Sequence, residues 1–151
     1  MSVTNDLKFV IRNTLDNISE TYISKSSVHG FGLFSKKKIN KGTTLGFLDG
    51  QVMTLNQWDI IKNSISQNIP GYSDYFFMEC NYMEKEKLLV RPLRTKYSYI
   101  NHNRKPNLEI NKDKMSIVTR VDVEKDEELF LDYRLENLPS DYINGSQGRY
   151  L

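Results

Sequence analysis

The stretch YSYINHNRKPNLEI, residues 97–110, places an asparagine and a histidine side by side after an apolar run and before a proline turn. The chain has two histidines, and this one, His102, stands between Asn101 and Asn103. A side-chain amide and a neutral imidazole each offer a hydrogen-bond donor and an acceptor. They can therefore cap the turn that Pro106 begins, or they can face a ligand. The residues of this stretch alone favour capping of the turn. Two other stretches of the sequence are needed to choose between capping and ligand binding.

An upstream stretch, SSVHGFGLF at residues 26–34, combines two glycines with an aromatic ring. Gly30 and Gly32 allow the backbone to approach a ligand closely and to adopt positive φ, and Phe31 can present a flat face. His29 precedes them. Alone, the pattern favours a β-bulge over a ligand site. It is not a dinucleotide fingerprint, because the third glycine and the following helix are missing.

A downstream stretch, DEELFLDYR at residues 126–134, alternates polar and apolar side chains as a strand does. Tyr133 comes near its end. On these grounds alone Tyr133 is an amphipathic residue, with its ring against the core and its hydroxyl at the surface.

Length and composition predict one mostly β domain with short helices. The chain has 151 residues, of which 38% are hydrophobic, and it contains no alanine. Because the best helix former is missing while Val, Ile, Tyr, Phe and Thr are common, strands are favoured. No repeat or linker divides the chain. We expect an N-terminal helical extension over residues 1–19, one domain over 20–134, and a tail over 135–151 that closes the site.

Two segments show a helical pattern. Residues 1–18 have a loose helical period. Their apolar positions on one side are Leu7, Val10, Ile11 and Leu15. The clearest helix runs from Leu55 to Ser66, where Thr54 or Asn56 can cap the first turn. Its apolar face carries Trp58, Ile61 and Ile65.

Charge and cysteine content argue against several classes of site. A net charge of +2 with scattered basic residues gives poor support for direct nucleic-acid binding. The single cysteine, Cys80, excludes an intrachain disulfide and a cysteine zinc cluster, and it suits a reducing compartment. No apolar stretch approaches the roughly 18 to 20 residues that a membrane span needs. We expect no membrane contact and a cytoplasmic location, with a nuclear or host-directed location left open.

Together and in this order, the three stretches resemble the SET-domain family of protein lysine methyltransferases. HGFGLF resembles the family's opening Gly-x-Gly motif. INHNRKPN resembles its Asn-His-Ser-x-x-Pro-Asn motif, and EELFLDY resembles its Glu-Glu-Leu-x-x-Asp-Tyr motif. The hairpin sequence KKKINKGTTLGFLDGQV also fits the family pattern. The resemblance extends from about Tyr22 to Arg134.

The resemblance implies a fold of small β-sheets with a C-terminal pseudoknot, an arrangement that is rare among proteins. That threading would bring the three stretches around one site. The family implies S-adenosylmethionine as the cofactor, a protein substrate that presents a lysine, and no metal. Some minimal members dimerise, and a homodimer is left open here.

Carried over position by position, the family motifs give individual residues a role. Tyr133 would be the catalytic residue, and Leu131 and Leu48 would join it in the substrate channel. Asn101 and His102 would meet the adenine edge of the cofactor. The full set of implied cofactor-binding residues is His29, Gly30, Phe31, Gly32, Tyr75, Tyr99, Asn101 and His102.

The chemistry of methyl transfer explains why these residue types suit the site. Displacement at a sulfonium is in line, so holding the reacting atoms collinear supplies much of the acceleration. The attacking lysine must be neutral although its free pKa is about 10.4, and a nearby sulfonium and a dry aromatic channel lower that pKa. Tyr133, with a reference pKa near 10, is a poor base. Its expected role is to orient the amine.

Several residues depart from the family pattern. Ser98, Asn103 and Arg104 stand where an arginine, a serine and a cysteine are usual, and Leu131 replaces an aromatic residue. A smaller residue at 131 indicates room for more methyl groups. These departures keep open an alternative, a catalytically weak SET-like module that binds a protein partner. The tail lacks the cysteine-rich zinc segment of many members, and its Tyr142 or Tyr150 would act as an aromatic lid.

Overall fold

Small β-sheets dominate the computed structural model, which describes residues 5–68, 78–84 and 86–151, with only the main chain described for 65–68. The strands are β1 Thr21–Lys25, β2 Phe31–Ser35, β3 Thr44–Phe47, β4 Gln51–Thr54, β5 Glu79–Met83, β6 Lys87–Arg91, β7 Asn101–His102, β8 Leu108–Asn111, β9 Ser116–Thr119 and β10 Phe130–Leu131. The α-helices are α1 Leu7–Arg12, α2 Leu55–Asn68 and α3 Ser140–Asn144. Single 3-10 turns cover Lys96–Tyr99, Tyr133–Leu135 and Ser146–Gly148.

The strands form four small sheets within these residues. β1 and β2 make an antiparallel pair, and two three-stranded antiparallel sheets have the orders β3-β9-β8 and β4-β6-β5. β7 and β10 pair in parallel. The mostly β fold predicted from the sequence is therefore confirmed.

The parallel pair joins two of the three motif stretches. Phe130 lies opposite Asn101 and Leu131 lies opposite His102. Parallel neighbours need a long crossover connection, and here residues 103–129 supply it and contain β8 and β9. The N–H of Asn103 extends the pairing by donating to the Leu131 carbonyl at 3.0 Å. This pairing brings the end of the domain beside the Asn-His stretch.

The core lies directly beneath the motif stretches. Leu33 of β2, Ile100 before β7 and Leu131 of β10 are at most 1% exposed and belong to one hydrophobic cluster. Because these side chains are buried, the main chain that carries the motifs is held by close packing. No helix among the described residues is long and apolar enough to span a bilayer.

Helix α2 begins as the sequence predicts. The Thr54 hydroxyl accepts a hydrogen bond from the Gln57 N–H at 3.1 Å, and the Gln57 side chain accepts one from the Thr54 N–H at 2.9 Å. This is a capping box, which satisfies two main-chain donors at the helix start. Trp58 and Ile61 are only half-buried. The helix therefore lies on the surface of the domain.

Helix α1 is shorter than its sequence period suggests. It spans Leu7–Arg12, capped by Asp6, whose carboxylate accepts from the Lys8 N–H at 2.9 Å. Val10 is buried, but Ile11 and Leu15 are about half exposed. The prediction that Leu15 lies on one side of this helix with Leu7, Val10 and Ile11 is wrong, because the helix ends at Arg12. Leu15 has left the helix and forms a parallel bridge with Thr95.

Candidate active site

The glycine stretch forms a tight turn that ends at β2. The Ser26 hydroxyl accepts from the N–H groups of Val28 at 2.9 Å and His29 at 3.3 Å, and the Ser26 N–H donates to the Gly30 carbonyl at 2.9 Å. Gly30 has φ of +51°, a conformation that side chains with a Cβ rarely adopt. The His29 imidazole is exposed. The glycine at 30 is thus required by the turn itself.

Asn101 fastens this turn to the C-terminal part of the domain. Its side-chain nitrogen donates to the carbonyls of His29 at 3.1 Å and Phe31 at 3.2 Å, and to the Glu128 carboxylate at 3.0 Å. Gly32 makes room for that carboxylate, because a Cβ at 32 would come within 2.2 Å of Glu128 Oε1. The asparagine, the second glycine and the glutamate therefore form one interlocking contact.

A second asparagine of the same motif, Asn107, fixes the start of strand β10. Its side-chain nitrogen donates to the Glu128 carbonyl at 2.8 Å, and its side-chain oxygen accepts from the Phe130 N–H at 2.8 Å. Asn107 is 6% exposed. From the sequence, the proline before Asn107 indicates only a turn at this position. The feature of the sequence that could have indicated a buried role for Asn107 is its position between a proline and an apolar strand.

Tyr133 meets the Asn-His stretch at two points. Its hydroxyl donates to the main-chain carbonyl of Ile100, the residue before Asn101. Its N–H donates to Nδ1 of His102 at 3.1 Å, and the two rings lie with centroids 5.3 Å apart. Burial raises the pKa of Tyr133 to about 12. The phenol is therefore protonated at neutral pH and acts as a hydrogen-bond donor.

Asp132 holds the turn that carries Tyr133. Its carboxylate accepts from the Arg134 N–H at 3.1 Å and from Arg134 Nε at 2.8 Å. Hydrogen bonding to the Arg134 side chain lowers the pKa of Asp132, against the opposing effect of burial. The carboxylate is 5% exposed, so its charge is kept at a buried position by this partner.

The C-terminal tail packs against the same rings. The Tyr150 ring lies edge-on to Tyr133 at 6.4 Å and to His102 at 6.2 Å between centroids. The hydroxyls of Tyr142 and Tyr150 are 2.8 Å apart. The tail thus brings a further aromatic side chain to the phenol of Tyr133.

A cavity of about 920 Å³ opens beside the glycine turn. The predicted cofactor residues in its lining are His29, Gly30, Phe31, Tyr99 and Asn101. Its volume lies within the range of roughly 300–1,000 Å³ common for small-molecule sites. A Cβ at Gly30 would meet no atom within 4 Å, so this glycine leaves bare main chain at the cavity wall. The cavity is therefore large enough for a small-molecule ligand and presents main-chain groups to it.

The other predicted site residues lie elsewhere. Gly32 and His102 are not part of the cavity lining, and Tyr75 lies outside the described residues. Leu48 and Leu131 are 5% and 1% exposed within the core cluster, against which Tyr133 packs. Their part in a substrate channel stays a prediction.

Residues 30–134 match the family model of the SET domain. The chain belongs to the SET-domain family. Members of this family are protein lysine methyltransferases. The resemblance drawn from the three motif stretches is therefore confirmed, and these stretches converge within the SET domain through the contacts of Asn101 and Tyr133.

Solved structures share the fold of this SET domain. One is a chain of a humanized mutant of the Chaetomium thermophilum Polycomb Repressive Complex 2 bound to the inhibitor GSK126. It aligns with a TM-score of 0.57 and 20% identity over 81% of this chain. This chain spans 16% of the length of that chain, and at such identity the likeness concerns the fold alone. No curated protein matches the sequence.

Three residues that depart from the family motif, Ser98, Asn103 and Arg104, each have a hydrogen-bond partner in this SET domain. The Ser98 hydroxyl donates to the buried carboxylate of Glu79 at 2.9 Å. The Asn103 side chain accepts from the Lys105 N–H at 2.8 Å and caps the turn. Arg104 Nε donates to the main-chain oxygen of Leu151 at 2.6 Å, which ties the tail to the motif. Within the described part of the SET domain no cluster of three potential metal-ligating side chains occurs.

Proposed function

We propose that this SET domain transfers methyl groups from S-adenosylmethionine to a lysine side chain of a protein substrate. One observation carries the proposal. The Tyr133 hydroxyl donates to the carbonyl of Ile100, and the residues on both sides, Tyr99 and Asn101, line the cavity. The phenol proposed for catalysis and the cavity proposed for the cofactor therefore meet at one short segment.

The cavity offers suitable groups for the cofactor. The main chain at Gly30 and the rings of Phe31 and Tyr99 would hold it, with Asn101 keeping the glycine turn closed around it. When bound, S-adenosylmethionine supplies a methyl group activated by its sulfonium charge. The residues of the chain need only position the incoming amine, since orientation supplies much of the rate acceleration in such displacements.

Tyr133 is suited to hold the lysine amine. Because burial raises the pKa of its phenol to about 12, the phenol stays protonated and does not serve as the base near neutral pH. Its proton is already donated to the Ile100 carbonyl, so the hydroxyl oxygen is left to accept a hydrogen bond from the amine. The lysine loses its own proton more easily in this partly buried place, because burial disfavours the ammonium form.

The tail would close the substrate side of the site. Tyr150 packs edge-on against Tyr133, and Tyr142 holds the Tyr150 hydroxyl. Aromatic walls exclude water from an amine that must remain neutral, which matches the demand of the reaction. Residues 135–151 would therefore form the closing segment of the site.

Two measurements test the proposal together. Calorimetric titration with S-adenosylhomocysteine measures cofactor-site binding, and transfer of a labelled methyl group to lysate proteins, read by mass spectrometry, measures catalysis. We expect binding and labelled lysines with the wild-type chain, and binding without labelling with Tyr133→Phe. Binding without transfer by the wild-type chain would favour the alternative, a SET-like module that binds a protein partner.

A further inference from the structure

Helix α1 is a fixed part of the domain, although it precedes the residues matched to the SET family. Val10 is 5% exposed in the core. Beyond the helix, the N–H of Leu15 donates to the Arg94 carbonyl at 2.9 Å, and the Lys96 N–H donates to the Leu15 carbonyl at 3.2 Å. The helix is therefore attached to the chain segment that leads into Asn101.

The helix also contributes to the cavity wall. Its residues in the lining, with those at its two ends, are Asn5, Asp6, Phe9, Val10, Asn13 and Thr14. They share the cavity with Gly30, Phe31 and Asn101. The space next to the glycine turn is thus enclosed partly by residues that the family motifs do not include.

Phe9 differs from the other apolar side chains of α1. It is 47% exposed and lines the cavity, whereas Ile11 on the same helix is 52% exposed and lies outside the lining. A single exposed apolar side chain is ordinary. An aromatic ring at the wall of a cavity that Gly30 also lines is a surface on which a planar ring can pack.

The lining combines charged and apolar side chains, and its one carboxylate among the described residues, Asp6, accepts hydrogen bonds from the first turn of α1. Lys25 and Arg94 bring positive charge to the same cavity, and they suit the carboxylate at the amino-acid end. The Phe9 side chain has no polar group and suits the planar, apolar face of a nucleobase. The lining therefore offers different surfaces to the two halves of an adenosine-linked amino acid.

We propose that Phe9 packs against the adenine ring of the cofactor, which makes helix α1 part of the cofactor site. The inference rests on the proposed use of S-adenosylmethionine and adds a binding residue that the motifs of the family do not supply. It predicts that the aromatic ring at position 9, and not the apolar surface of α1 in general, contributes to affinity.

Calorimetric titration of the full chain with two ligands tests this inference. S-adenosylhomocysteine carries both halves of the ligand, and 5′-methylthioadenosine carries adenosine without the amino-acid end. We expect Phe9→Ala to weaken both by about tenfold, the scale of a lost base–aromatic stacking contact. Phe9→Tyr keeps the ring and is expected to bind as the wild type does. Ile11→Ala removes an equally exposed side chain from the same helix and is expected to change neither affinity.

The possible results separate the inference from the proposed function. Circular dichroism and thermal unfolding confirm that the variants are folded, which is expected because alanine favours helices. If the wild type binds both ligands and Phe9→Ala binds them equally well, the inference alone is overturned. A loss confined to S-adenosylhomocysteine assigns Phe9 to the amino-acid end and overturns the adenine contact. A wild-type chain that binds neither ligand overturns the inference and the cofactor assignment together.

Discussion

The main-chain N–H of Tyr133 donates a hydrogen bond to Nδ1 of His102 at 3.1 Å. Because Nδ1 is the acceptor, a neutral imidazole carries its proton on Nε2. Nε2 is buried and has no hydrogen-bond partner in the part of the chain that the structure describes. The histidine thus acts mainly through one ring nitrogen, which sets where the turn carrying Tyr133 begins.

Two substitutions that place a side-chain amide near the position of either ring nitrogen test this role of His102. The side-chain oxygen of asparagine can replace Nδ1, whereas glutamine places its amide nearer to Nε2. We expect His102→Asn to be more stable than His102→Gln, by on the order of 1 kcal/mol, because only the latter leaves the Tyr133 N–H unpaired. Urea denaturation of both variants measures the difference. Equal stability would show that the hydrogen bond at Nδ1 is unimportant.

The phenol of Tyr133 should matter for turnover and not for cofactor affinity. We expect Tyr133→Phe to reduce turnover by about tenfold or more while its affinity for S-adenosylhomocysteine stays unchanged, since the lost group would orient only the amine. The pH at which the rate reaches half its maximum should not move, because the pKa of Tyr133 is about 12 and that inflection belongs to the substrate lysine. Steady-state rates at several pH values check both points. An inflection that vanishes in the variant would identify the tyrosine as the base.

The hydrogen bond from Arg104 Nε to the main-chain oxygen of Leu151 should keep the C-terminal tail, residues 135–151, in place. A hydrogen bond from a charged group contributes about 1.5–3 kcal/mol, so its loss should raise the population of released tail by about tenfold or more. We expect Arg104→Ala to accelerate proteolysis of residues 135–151 and to reduce turnover. Lys105→Ala removes the same charge one residue away and serves as the control. Equal protection of the tail in both variants would contradict the anchoring role.

Local sequence patterns predicted the elements of this fold better than the contacts between them. The capping box at Thr54 is visible because its two partners are three residues apart. The position of Leu15 was not predictable, because its bridge partner Thr95 is distant in sequence. The contact of Arg104 with Leu151 was not predictable either, because these residues are also distant in sequence.

In the candidate site, too, the sequence predicted which residues come together better than the contacts that they make. The motif stretches identified which residues converge, and Tyr133 does meet the Asn-His stretch. Residue type left the role of Asn101 open between capping a turn and facing a ligand. Its amide group instead ties the glycine turn to Glu128, while the residue also lines the cavity. A side-chain amide suits each of these roles equally, so only the fold decides.

The lowered pKa of Asp132 predicts a specific pH dependence of stability. Its unfolded-state pKa is about 3.9. Because the folded-state value lies lower, the carboxylate stabilises the fold fully above the unfolded value, and this contribution is lost as pH falls through the folded value. We expect the stability difference between wild type and Asp132→Asn to be constant from about pH 5 to 8 and to shrink below about pH 4. Urea denaturation across this range measures it. Arg134→Met removes the side-chain donor but keeps the main-chain N–H at 134, so it should weaken the same acid dependence. A stability difference between wild type and Asp132→Asn that grows in acid would contradict the assignment.

The contact between Gly32 and Glu128 predicts a substitution whose cost depends on a second residue. A Cβ at 32 would lie 2.2 Å from Glu128 Oε1 and 2.8 Å from its Cδ, but 3.2 Å from the Ser26 Cβ. We expect Gly32→Ala to destabilise the chain by roughly 1–3 kcal/mol, because overpacking displaces the carboxylate and breaks its bond to Asn101. In a Glu128→Ala background the clash is gone, so the same substitution should cost much less.

Gly30→Ala supplies the matched control for this cycle. Its Cβ would meet nothing within 4 Å, but φ of +51° is strained for alanine and should cost roughly 1–2 kcal/mol. Because this strain lies in the backbone of residue 30, Glu128→Ala should leave it unchanged. Denaturant unfolding of the wild type, the three single variants and the two double variants gives both coupling free energies. Coupling at 32 without coupling at 30 supports the interlocking contact, and additive effects at both glycines would show that the carboxylate moves aside without cost.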